Sequence, residues 1–209
     1  MIVNVNISTT PKEGPDGVFS IHINDDFWRD IHSSIFGRKP KLPSNCLSIN
    51  EFEEQFHLLE YRLAKQYVLK RLSLKSYPSD ELIQKLQDSL ISDEVIAKII
   101  QECQQLGYIN DLEWIQSFIR QQISRHTGPK MIMIKLKKKG LSNEVLNQAK
   151  AIIDEMGDAL QKEQISKLLK SKYSKRDLKD FKERQKVIGA LFRKGFDVDI
   201  IKATILNIK

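Results

Sequence analysis

Three segments of this chain repeat one another without a gap: LQDSLISDEVI (Leu86–Ile96), LKKKGLSNEVL (Leu136–Leu146) and LFRKGFDVDII (Leu191–Ile201), offset by 50 and 55 residues. In each, a leucine closes one apolar periodic stretch and a turn residue follows at Leu90, Gly140 or Gly195. An apolar residue (Ile91, Leu141, Phe196) then precedes a helix-capping Ser92, Ser142 or Asp197, with an acid two positions on. The residue before the cap is placed to staple onto the new helix. Glycine at two of the three turns suits the left-handed conformation that ends a helix, where a Cβ would clash. Units of about three short helices cannot bury enough surface alone, so such units stack on their neighbours. The predicted fold is therefore mainly α, with three tandem three-helix repeats over 51–106, 107–156 and 157–209 in an elongated, curved array.

Residues 1–50 differ in pattern. Val3, Val5 and Ile7 alternate with polar residues as in a half-buried strand, and Val18, Phe19, Ile21 and Ile23 offer a second. The Pro- and Gly-rich run Pro11–Gly17 turns between them. Asn24-Asp25-Asp26 predicts the cap of a short helix through Phe27, Trp28 and Ile31. A two-strand hairpin is marginal alone, so this small N-terminal β-hairpin extension is expected to dock on the helices through Phe19, Phe27, Trp28 or Phe36. From Ser48 the pattern is helical. Ser48 and Glu51 form a capping box opening a helix to about Leu74, with Phe52, Phe56, Leu59, Leu63, Tyr67 and Leu72 towards a core. Ser79 is expected to cap the next.

The centre of the chain is Gly107 to Gly140. Asn110 or Asp111 is placed to cap a helix with Leu112, Trp114, Ile115, Phe118, Ile119 and Ile123 at helical spacing, and Gly128-Pro129 breaks that helix and restarts another. The second carries Ile132, Ile134 and Leu136, then Lys135, Lys137, Lys138 and Lys139 before Gly140. Lysines in a last turn suit the helix dipole. Four so close together call for a large solvated face or a binding surface.

The ordered set Gly107, Tyr108, Asn110, Asp111, Trp114, Phe118, Arg120, Gly128, Pro129, Leu136, Lys139 and Gly140 resembles the RecX family of bacterial regulators of the RecA recombinase. Three tandem three-helix units are the architecture that the resemblance implies, and it covers nearly all of residues 60–208. It also implies a protein that binds the RecA recombinase and its nucleoprotein filament in the helical groove. There it would modulate ATP hydrolysis, strand exchange and filament growth, and hence DNA repair and recombination.

Charge bears on the same question. Residues 1–119 hold 12 Lys/Arg and 17 Asp/Glu, a net −5, whereas residues 120–209 hold 22 and 10, a net +12. A basic half joined to an acidic one points to a polyanion or an acidic protein surface as partner. The candidate partner-binding residues are Arg120, Arg125, Lys130, Lys135, Lys137, Lys138, Lys139, Lys170, Arg193 and Lys194. The basic connector Lys170–Arg176 carries Tyr173, the aromatic best placed to touch a partner.

No catalytic constellation assembles. His22, His32, His57 and His126 are scattered without metal-ligand spacing, His126 reads as a cap on helix-end carbonyls, and no glycine-rich phosphate loop is present. Asp111 is accounted for by helix capping. Trp114 and Phe118, four residues apart, read as core rather than as a base-stacking pair. The expectation is a non-enzyme without metal or cofactor. No apolar run has the length to span a bilayer, no secretory leader is visible, and Cys46 and Cys103 lack paired spacing. A monomeric cytoplasmic protein with reduced thiols follows. The readings left open are a recombinase-filament regulator, a non-specific DNA-binding helical module that acts by covering DNA, and a helical scaffold for another partner.

Overall fold

The structure, a computed structural model, describes residues 5–12 and 16–207; Val3 and the middle of the Pro- and Gly-rich turn lie outside the described residues. The chain forms two compact units, residues 1–110 and 111–209. The motif stretch Gly107–Gly140 begins in the first and runs into the second.

In the first unit, β1 (Ile7–Pro11), β2 (Val18–Ile23) and β3 (Asp26–His32) make a three-stranded antiparallel sheet in that order. The expected short helix over Phe27–Ile31 is instead β3. Asn24 and Asp25 do not cap a helix; both hold positive φ, 51° and 72°, and close a two-residue hairpin between the paired Ile23 and Asp26. Short polar side chains tolerate that conformation, whose twist matches the flanking strands. The β2–β3 register shifts at Ile21/His22, and Ile21, Ile23 and Ile31 are buried.

Helix α1 (Ser33–Phe36) leads to α2 (Ile49–Leu72), α3 (Ser79–Gln87) and α4 (Asp93–Gln105). Ser48 caps α2 by accepting from Glu51 N–H at 3.1 Å, and Glu51 reaches back to Leu47 N–H at 2.8 Å. Helix α3 begins at Ser79 itself, with Pro78 in the capping position at φ −71° and ψ 152°, a φ that the ring fixes and that the first helical turn shares.

The sheet docks on α2. Trp28 meets Phe52 and Phe56 edge-on at 5.2 and 4.8 Å between centroids, and Phe36 stacks on Phe56. Each such contact adds about 0.5–1.5 kcal/mol to what burial contributes. Phe19 packs on the same core from its edge, whereas Phe27 is 61% exposed. The buried stripe of α2 is Phe52, Phe56, Glu60, Ala64 and Val68, with Leu59, Leu63, Tyr67 and Leu72 at its margin.

A carboxylate lies in that stripe. Glu60 is fully buried and takes Arg29 of β3 at 2.9 Å, Ser92 Oγ at 2.9 Å and Ser92 N–H at 3.2 Å. Arg29 also donates to Leu90 O at 2.9 Å, and Leu90 holds a left-handed φ of 60°. Across the unit, Tyr61, Lys65 and Glu102 tie α2 to α4.

The second unit contains α5 (Asp111–Ser124), α6 (Pro129–Lys137), α7 (Asn143–Glu155), α8 (Gly157–Lys170), α9 (Phe181–Arg193) and α10 (Val198–Leu206). Its first apolar cluster joins α5, α6 and α7 through Ile115, Ile119, Ile132, Leu136, Val145 and Ile153. A second joins α8, α9 and α10 through Ile165, Leu169, Val187, Leu191, Phe196 and Ile201. Ile132 and Leu136 occupy one helical face and are buried, whereas Ile134, two residues from each, is 44% exposed. The turns Leu90, Gly140 and Gly195 all hold positive φ, and Ile91, Leu141 and Phe196 are all buried beside them.

Candidate partner-binding surface

In the second unit the two helix groups are joined backbone to backbone. Gly128 N–H donates to Lys194 O at 2.8 Å and Lys130 N–H to Gly195 O at 3.1 Å. A Cβ on Gly128 would lie 2.3 Å from the carbonyl carbon of Gly195, and one on Gly195 would lie 2.4 Å from Met131 N. Gly128 is therefore more than a helix breaker. It is the residue that lets α6 approach the α9–α10 turn, and Pro129 then opens α6 where its missing N–H costs nothing.

Polar side chains complete the joint. Lys130 pairs with Asp197 at 2.8 Å, and Asp197 caps α10 by accepting from Asp199 N–H at 3.0 Å. The Lys130 hydrogen bond first, and then the Asp199 N–H, hold the Asp197 carboxyl below its ordinary value. Asp197 N–H in turn donates to Gln161 of α8 at 3.3 Å. His126 sits past the end of α5 at φ 52°, with Nδ1 2.5 Å from Gln164 Oε1, an acceptor that places the proton on Nδ1. It does not cap the helix-end carbonyls; its own carbonyl accepts Lys194 Nζ at 3.4 Å.

The predicted cations divide between structural and presented roles. Lys130 is held in the joint, Lys135 donates to the buried Gln122 at 2.7 Å, and Lys139 lies over the Trp114 ring at 5.4 Å. Lys194 is half-buried; burial first, then the ammonium groups of Lys172 and Lys135, push it below the ordinary lysine value. Arg120, Arg125, Lys137, Lys138, Lys170 and Arg193 are exposed, and among the described residues no ion pair engages them.

Trp114 and Phe118 stack on each other at 5.3 Å against the α5–α7 core. Tyr173, expected to face a partner, instead packs half-buried against the α8–α10 core, with Lys172 over its ring. Gln122, Gln164 and Lys172 were absent from the candidate set. The polar partners here are up to 68 residues apart, and no local spacing signals them. The surface presents positive charge on a joint fixed by main chain. Among the described residues no group of three or more His, Cys, Asp or Glu is placed to hold a metal ion, and no helix is long and apolar enough to cross a membrane.

Residues 161–205 match the family model described as RecX, third three-helix domain. The chain is 32% identical over 158 residues to Regulatory protein RecX of Streptococcus agalactiae serotype V, covering 75% of this chain and 58% of that protein's length. It is 27% identical over 141 residues to Regulatory protein RecX of Legionella pneumophila, covering 68% of this chain and 91% of the relative. The crystal structure of RecX from Lactobacillus salivarius superposes with a TM-score of 0.59 at 27% identity, over 71% of this chain and 96% of that one. The match thus spans little more than half of the streptococcal relative. Together with the ordered motif residues between Gly107 and Gly140, these similarities show that the chain belongs to the RecX family.

Proposed function

We propose that this protein is a regulator that binds a RecA recombinase on its nucleoprotein filament and restrains ATP hydrolysis, strand exchange and filament growth. On this reading it acts as a cytoplasmic monomer built of three three-helix repeats, over 51–106, 107–156 and 157–209. Family membership carries the reading, and the cations presented by the second unit agree with it. Several modest contacts on a pre-organised surface act with high effective concentration against a repeating lattice. Their charge complementarity accelerates encounter and fixes register more than it adds raw affinity.

The test is single-stranded-DNA-dependent ATP hydrolysis by the cognate recombinase, with this protein titrated in. Inhibition is expected well below the recombinase concentration. Joint substitution of Lys137, Lys138, Lys170 and Arg193 by Glu leaves the fold intact, since all four are exposed. It should weaken inhibition by at least about tenfold, ~1.4 kcal/mol. Undiminished inhibition by that variant removes these cations from the mechanism. The net +12 of residues 120–209 favours a second reading, a module that covers DNA non-specifically. In that case ATP hydrolysis falls only as DNA is saturated.

A further inference from the structure

The last turn of α5 gathers more positive charge than its own carbonyls require. Lys135 reaches it from α6 by donating to Gln122, and Lys194 reaches it from the end of α9 by donating to His126 O. The backbone joint at Gly128 and Gly195 holds α6 and the end of α9 together. The ring of His126 is pinned by Gln164 of α8, and Lys172 follows α8 in the adjoining connector. A cation at a helix C-terminus is favourable, and one ammonium meets that need.

We infer that the end of α5 is the floor of a phosphate-binding site, in which Lys135, Lys172 and Lys194 supply the ammonium groups for the oxygens of one phosphate. Among the described residues no carboxylate is paired with any of the three. Lys135 and Lys194 meet neutral oxygens only, which leaves their charges uncompensated. Burial, and then the ammonium groups of Lys172 and Lys135, work against the charge of Lys194. A bound phosphate reverses that repulsion. The phosphate is either a diester of a nucleic-acid backbone or a free phosphate.

The site is tested without recombinase, so its failure is separate from any failure of the regulator reading. Fluorescence anisotropy follows a labelled single-stranded oligothymidylate, with inorganic phosphate and pyrophosphate as competitors, against the K135Q, K172Q and K194Q variants and their triple combination. K182Q, an exposed lysine of α9 outside the cluster, is the control. Each single change is expected to lower the slope of log affinity against log salt by about 0.7, the loss of one contact to a single strand. Lys194 Nζ should also titrate higher by NMR when ligand is present. Competition by inorganic phosphate or pyrophosphate that the variants abolish identifies a site for any phosphate. Loss of oligonucleotide binding without such competition identifies a backbone site. Cluster variants that lose no more than K182Q, with an unmoved Lys194 signal, overturn the inference. If the triple variant unfolds, K172Q carries the test, because Lys172 makes no hydrogen bond in the joint.

Discussion

The α3–α4 turn at Leu90 and the α9–α10 turn at Gly195 occupy the same place in the repeated segments and share a left-handed backbone. In the first unit a leucine adopts it, and the carbonyl of that residue is held by Arg29, itself paired with buried Glu60. In the second a glycine adopts it, and the missing side chain is filled by the backbone of Gly128 and Met131. One turn is clamped from outside by polar groups of the sheet and α2. The other is itself a docking surface. Equivalent local sequence thus serves two kinds of attachment, and the difference lies in what approaches the turn.

Substitutions separate the two cases. Trp28 and Trp114 lie in different units, so single-tryptophan variants report denaturant unfolding of each. Glu60→Ala should have the largest effect, about 3–5 kcal/mol in the first unit, because it strands the Arg29 charge and the Ser92 donors. Arg29→Leu combined with Glu60→Leu should recover part of that loss. Recovery of none would mean that the clamp acts through more than this pair.

Gly128→Ala and Gly195→Ala should each cost the second unit about 1–3 kcal/mol through overlap of backbones, and Gly195→Ala should cost more because its φ is also left-handed. Gly140→Ala meets nothing within 4 Å. It should therefore show only the conformational cost, about 1–2 kcal/mol. A cost at Gly140 matching that at Gly195 would argue that the backbone joint adds nothing.

The smallest effect belongs to Lys130 and Asp197. A carboxyl held below its unfolded value contributes stability that is present above the unfolded value and lost as pH falls through the folded one. Stability of the second unit should thus decline in acid, below about pH 4. Lys130→Met should flatten that decline while costing less than about 1 kcal/mol at neutral pH, since the pair is partly exposed. An unchanged acid limb would place the titration elsewhere.

Local pattern was a good guide wherever each contact lay within one helix or one turn. The left-handed turns at Gly140 and Gly195, the Ser48 cap and the buried Phe52, Phe56, Ile115 and Ile119 were legible from spacing, because neighbours a few residues apart settle them. The Asn24-Asp25 hairpin was misread as a cap. The same short polar residues serve both uses, and only pairing with β2 distinguishes them. Tyr173 was misplaced for a related reason: hydrophobic character does not say which side of a short element the neighbours occupy.

By itself, then, the chain's sequence determined a mainly helical fold, a repeated turn-and-cap unit, a basic second half and, through its ordered motif, a family. The burial of Glu60, the contact of Gly128 with Gly195 and the gathering of Lys135, Lys172 and Lys194 were decided only by tertiary structure. Each joins residues that lie far apart along the chain, and the free energy of such a contact depends on desolvation and approach distance. Neither quantity exists until the elements have packed.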